Sequence, residues 1–178
     1  MGDMDTTRAD LSALDRGLTQ LGTLVESVQA SDFERPTPCD DWTVRELLGH
    51  VLQGPANFAT SVRGGKPDWS AGAELPDDWA ATFASHADDL RDAWGENPDK
   101  EPGPDFQTGE LAVHAWDLAT ALGKDSAELD PTVAERGWAV MSAALTPENR
   151  GKAFEPARAA PQDADPYQRL AAFAGRKV

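Results

Sequence analysis

The sequence predicts an all-α protein, an antiparallel four-helix bundle with extra short C-terminal elements. Three observations predict it. Apolar residues return at helical spacing in four or more segments, helix-start signals stand before two of them, and no segment alternates convincingly like a strand. A length of 178 residues is close to one domain, and 40% hydrophobic composition suffices for one core. One helical-bundle domain over residues 1–178 is therefore expected, with core helices at about 5–29, 43–63, 76–95 and 106–122 and a C-terminal segment 130–178.

In the first helix, Leu11, Leu14, Leu18, Leu21, Val25 and Val28 recur at steps of three and four from about Asp5 to Gln29. The stretch from Arg35 to Asp41 holds Pro36 and Pro38 and predicts a rigid loop. Thr43 and Glu46 have the spacing of a reciprocal capping box, and Trp42 and Leu47 occupy the hydrophobic-staple positions. The helix they open should reach Val62, kink at Gly54-Pro55 and stop before Gly64-Gly65. A third helix is expected from near Pro76, with Trp79, Phe83, Leu90 and Trp94 on its core side. After a segment broken by Pro98, Pro102 and Pro104, a fourth should run from Phe106 to Leu122 and stop at Gly123. Asp130-Pro131 is an N-cap followed by a first-turn proline, predicting a fifth helix to about Ala144. Tyr167 to Ala174 predicts a short closing helix capped by Gly175, and a strand is conceivable only near Phe154. Tryptophans 42, 79, 94, 116 and 138 are expected in the core or a pocket wall, with Trp116 in packing.

Sixteen basic against thirty-one acidic residues give a net charge of −15, which excludes nucleic acid and anionic membrane as natural partners. The N-terminus has neither a basic region nor an apolar stretch of the export type, so a cytoplasmic protein is expected. Cys39 is the single cysteine, which rules out an internal disulfide and a cysteine-rich zinc site. Any metal would need histidine and carboxylate ligands.

The three histidines are His50, His86 and His114. Glu110 and His114 are four apart, and Asp117 lies one turn further, so all three share one helical stripe. Leu111, Leu118 and Leu122 flank that stripe on one side and Val113 on the other. Carboxylates that merely solvate a helix belong opposite its apolar face. His50 likewise borders the apolar face of its helix, and Gly54, Asn57 and Ser61 share its azimuth, predicting a polar, roomy lining. A metal site and two unrelated hydrogen-bonded imidazoles both fit this pattern. His86 falls within the Trp79, Phe83 and Leu90 stripe and is expected to be a satisfied core histidine, with a supporting role at a site as the alternative. Cys39 precedes a helix N-terminus, where amide dipoles lower a thiol pKa, but the proline loop favours a small packing residue. It is expected to be neither ligand nor nucleophile.

The run Pro36-Thr37-Pro38-Cys39, then Trp42, Val44, Leu47 and His50-Val51, carries a family resemblance together with the stretch from Glu110 through His114, Trp116 and Asp117 to Ala119. Phe154 and the closing Leu170 to Arg176 extend it over nearly the whole chain. The sequence resembles bacterial DinB-like metal-binding proteins, specifically the branch related to the N-terminal domain of mycothiol-dependent maleylpyruvate isomerase. The resemblance implies a four-helix bundle holding a divalent metal, often zinc, through His50, Glu110 and His114, and this nitrogen-plus-carboxylate set also suits nickel.

Three protein ligands leave a fourth position for water or a thiol. The function expected is transfer or isomerisation dependent on a low-molecular-weight thiol, possible partners being mycothiol and a small electrophile, with a homodimer as the candidate assembly. A metal-dependent hydrolase and a non-catalytic metal-binding module are the alternatives. Asp117 is a candidate catalytic base or imidazole-orienting group. Arg176 is a candidate clamp for a cofactor carboxylate, the alternative being an exposed tail residue.

Overall fold

The computed structural model describes residues 10–39, 42–70, 74–150 and 154–178. Among them the chain forms α1 (Ser12–Ser27), α2 (Val44–Val62), α3 (Trp79–Glu96), α4 (Asp105–Ala121), α5 (Pro131–Ala144) and α6 (Pro166–Phe173), with 3-10 turns at Ala30–Asp32 and Ser126–Glu128. The described residues contain no strand, only an isolated bridge between Pro36 and Thr43, so Phe154 lies in irregular chain. No helix among them is long and apolar enough to cross a membrane.

Local chemistry sets most boundaries. The Thr43 side chain accepts from the Glu46 backbone N–H while Glu46 accepts from that of Thr43, so the expected capping box opens α2. Asp130 caps α5 ahead of Pro131, and Gly123, at φ +71°, follows the end of α4. α3 begins at Trp79 instead of Pro76, because Asp78 caps it by accepting from the Ala81 N–H. α1 is described from Ser12, and the part of the expected helix at 5–9 lies outside the described residues, as do Asp40 and Asp41 of the proline loop.

Helix α4 organises the packing. Its Leu111, Ala115, Leu118 and Ala119 join a core shared by α1, α2 and α3, which includes Leu18, Val25, Leu47, Leu48, Phe83, Leu90 and Trp94. Its Ala112, Val113 and Trp116 face a second cluster with Val133, Met141, Tyr167 and Leu170 from α5 and α6. A helix apolar on both sides must be covered on both sides, and α5 and α6 do so where a simple bundle would leave water. Tyr167 joins the two halves: its hydroxyl accepts from Gln20 Nε2 at 2.7 Å and donates to the Asp130 carbonyl at 2.8 Å. Trp138 departs from expectation, being 40% exposed on the outside of α5 with its ring edge-on to Phe173. Its helical spacing placed it on a turn of the helix but could not say which face α6 would cover.

α4 and α5 touch backbone to backbone at two glycines. A Cβ on Gly137 would lie 2.7 Å from the Gly109 Cα, and one on Gly109 would meet Met141 at 3.0 Å. Gly137→Ala should therefore destabilise the protein by about 1–3 kcal/mol despite alanine's better helix propensity. Gly95→Ala, at an exposed α3 position with open space around it, should stabilise by about 0.4–1 kcal/mol. Urea unfolding of both variants checks the contrast.

Candidate functional site

His50 lies in the second turn of α2, and Glu110 and His114 occupy adjacent turns of α4, which packs alongside. The His50 and His114 rings stand nearly edge to face with centroids 4.8 Å apart, and His114 Nε2 is 3.9 Å from Glu110 Oε2. All three line one pocket of about 490 Å³. The polar stripe of α4 thus faces a polar group on α2, as its flanking apolar residues required.

Beneath them lies Asp117, whose side chain is wholly buried. Its Oδ2 is 3.3 Å from His114 Nδ1, and its two oxygens accept from Arg176 Nε at 3.0 Å and Nη2 at 2.9 Å. Burial alone would push this carboxyl up, but the hydrogen bonds from His114 and Arg176 outweigh it and hold its pKa below the ordinary value. Arg176 is 8% exposed, so it is no loose tail residue. It arrives there because Gly175 turns the chain at φ +96°, where a Cβ would collide with Glu155. Arg158 secures the same turn, its Nε donating to the Gly175 carbonyl at 2.8 Å. Cys39 Sγ is 3.5 Å from Arg176 Nη2, which brings the proline loop to the pocket rim.

The walls are largely aromatic. Trp42 stacks obliquely beside His50 at 5.0 Å, Trp69 lies 6.1 Å from the same imidazole and 5.5 Å from Phe58, and Phe106 and Phe154, which line the same pocket, meet edge to face. Trp69 had no periodic signal because it sits in a loop. The available clue was Asn57, which the helical wheel assigned to a polar lining. Instead Asn57 is a loop anchor: its Nδ2 donates to the Asp68 carbonyl at 3.0 Å and its Oδ1 accepts from the Asp68 N–H at 3.2 Å. Gly54 does leave open space beside His50, with nothing within 4 Å of a notional Cβ. His86 stands apart from the pocket, its Nδ1 bonded to the Leu52 carbonyl at 2.7 Å.

Among the described residues no three His, Cys, Asp or Glu side chains are already drawn together tightly enough to hold a metal ion. The donor chemistry nevertheless suits one. Burial, then the neighbouring His114, push the His50 pKa down to about 4, so its imidazole is neutral at pH 7. Burial also raises the Glu110 pKa, against the pull of His114 and Arg176, and a cation beside this carboxylate would reverse that cost. The Asp117–His114 contact has the form of a carboxylate that fixes the far nitrogen of a metal-binding imidazole.

The family model of the mycothiol maleylpyruvate isomerase N-terminal domain matches residues 14–119. The chain belongs to this family. Proteins of Mycobacterium tuberculosis strains CDC 1551 and H37Rv, each named as an uncharacterized protein, are 32% identical to it over 183 residues, covering 94% of this chain and 98% of theirs. No solved structure matches the chain. Within the maleylpyruvate isomerase domain match lie His50, Glu110, His114 and Asp117, whereas Arg176 lies beyond it.

Removing the cation from a buried ion pair leaves an uncompensated charge. Arg176→Met should therefore cost about 3–5 kcal/mol in urea unfolding, and adding Asp117→Asn should recover part of it. The sign of the pH dependence follows from the lowered Asp117 pKa: its contribution is complete above the ordinary carboxylate range and is lost as pH falls through the folded value. Stability measured against pH should show a shallower acid limb in the double variant.

Proposed function

We propose that the chain holds one divalent metal ion, zinc or nickel, through His50, Glu110 and His114, and acts as a low-molecular-weight-thiol-dependent transferase or isomerase on a small electrophile. The observation that carries this reading is the meeting of two imidazoles and a carboxylate from α2 and α4 on one pocket, with the far nitrogen of His114 against buried Asp117. The family's name makes mycothiol the candidate thiol. A bound zinc ion would supply Lewis acidity that favours the thiolate, whereas a free thiol of pKa ~8.5 is mostly protonated at pH 7.

The remaining tasks belong to the chain. Asp117 does not line the pocket, so we assign it the orientation of His114 rather than proton abstraction from substrate. Arg176 keeps Asp117 ionised, and this reading gives it that role in place of a cofactor-carboxylate clamp. Trp42, Phe58 and Trp69 shield His50 from water. We take α1 to α4 as a four-helix bundle of the DinB-like kind, within one domain that α5 and α6 complete, in a cytoplasmic protein.

Metal titration should give about one zinc or nickel per chain, and His50→Ala, Glu110→Ala or His114→Ala should each weaken binding at least tenfold with helical circular dichroism intact. Unchanged stoichiometry in the triple variant would remove the site. Glu110→Gln should moreover raise the melting temperature of the metal-free protein at pH 7, since a carboxylate whose folded pKa is raised costs stability above its ordinary range.

Calorimetry of the zinc-loaded protein with mycothiol, bacillithiol and glutathione should show binding of at least one thiol. No thiol binding, with slow ester hydrolysis lost in His50→Ala, would make the protein a metal-dependent hydrolase. Neither activity would leave a metal-binding module.

A further inference from the structure

Resting on that reading, we infer that the electrophile taken by this pocket is an uncharged molecule with a flat, ring-bearing body, and that dicarboxylates are excluded. The argument starts from the walls. Trp42, Phe58 and Trp69 surround His50 on one side, and Phe106 and Phe154 form an edge-to-face pair that also lines the cavity. Aromatic surfaces around a cavity of about 490 Å³ suit a ligand with its own π-face, because offset and edge-on ring contacts add to simple burial.

Charge sharpens the choice. The charged side chains among the described lining residues are Glu110, Glu155 and Arg176. Arg176 meets Asp117 through two nitrogens and is 8% exposed, so its charge is already neutralised within the protein. The two glutamates would thus balance one divalent ion, leaving no second cation among the described lining residues for a dianion to pair with. Recognition of two carboxylates in a partly desolvated site requires paired donors, and unpaired anions there carry a large desolvation cost. The net charge of −15 opposes the approach of dianions as well.

Specificity then centres on Trp69. It is 47% exposed on a loop held by the two Asn57–Asp68 hydrogen bonds, and its ring lines the pocket 6.1 Å from the His50 imidazole without belonging to the candidate ligand set. Truncating it removes ring surface without opening the core.

Equilibrium binding of unreactive probes separates substrate class from catalysis. 2-Naphthol, 2-naphthoate, naphthalene-2,6-dicarboxylate and maleate would each be titrated by calorimetry into the metal-free and the zinc-loaded wild-type protein. The naphthol should bind at least tenfold more tightly than the dicarboxylate in both forms, with naphthoate between them and maleate weakest. Trp69→Ala should weaken naphthol binding about fivefold, and Trp69→Phe should restore most of it. Binding of maleate or of the ring dicarboxylate as tight as that of naphthol, or failure of all the rings to bind, would overturn the inference. Indifference of naphthol affinity to Trp69→Ala would equally do so. Loss of the metal or thiol reading would appear in the titrations of the preceding subsection, whereas the metal-free arm here reports on the pocket alone.

Discussion

A carboxylate with no solvent contact stands at the centre of this protein, and much around it serves to make that tenable. Asp117 is buried between the two apolar clusters that share α4, where an isolated anion would protonate or force the helix open. Arg176 supplies the charge and a two-point geometry, and His114 supplies a further hydrogen bond. The same contact that stabilises the anion orients the imidazole, so packing and candidate chemistry share one set of bonds. This explains why α5 and α6 are needed beyond a four-helix core: they cover the second face of α4 and carry the chain to Gly175, from which Arg176 enters.

The features legible in the sequence are those whose causes are local. Thr43 with Glu46, and Asp130 with Pro131, announce helix starts because donor and acceptor lie within one turn. The stripe of Glu110, His114 and Asp117 could be placed because a helix converts spacing into azimuth, and apolar neighbours on both sides told that it faces inward. His86 was likewise legible as a satisfied histidine, although its acceptor, the Leu52 carbonyl, was not.

The features that escaped depend on partners distant in sequence. Nothing near Arg176 signals that it will meet a residue 59 positions earlier. Trp69 sits in a loop without periodicity, and its placement depends on an Asn57 side chain that closes a backbone pair with Asp68. Trp138 shows the converse: helical spacing fixes a direction, but only the docking of α6 decides whether that direction is inside.

The reach of Arg176 also bears on what counts as an autonomous unit. The segment that carries the family likeness, residues 14–119, contains His50, His114, Glu110 and the buried Asp117, but stops short of the guanidinium that neutralises it. Excised on its own, that segment would keep the donor atoms and lose the counter-charge, and the inner face of α4 toward α5 and α6 would be bare. The boundary drawn by similarity and the boundary drawn by electrostatics therefore do not coincide. The counter-charge of the buried carboxylate lies outside the inherited motif.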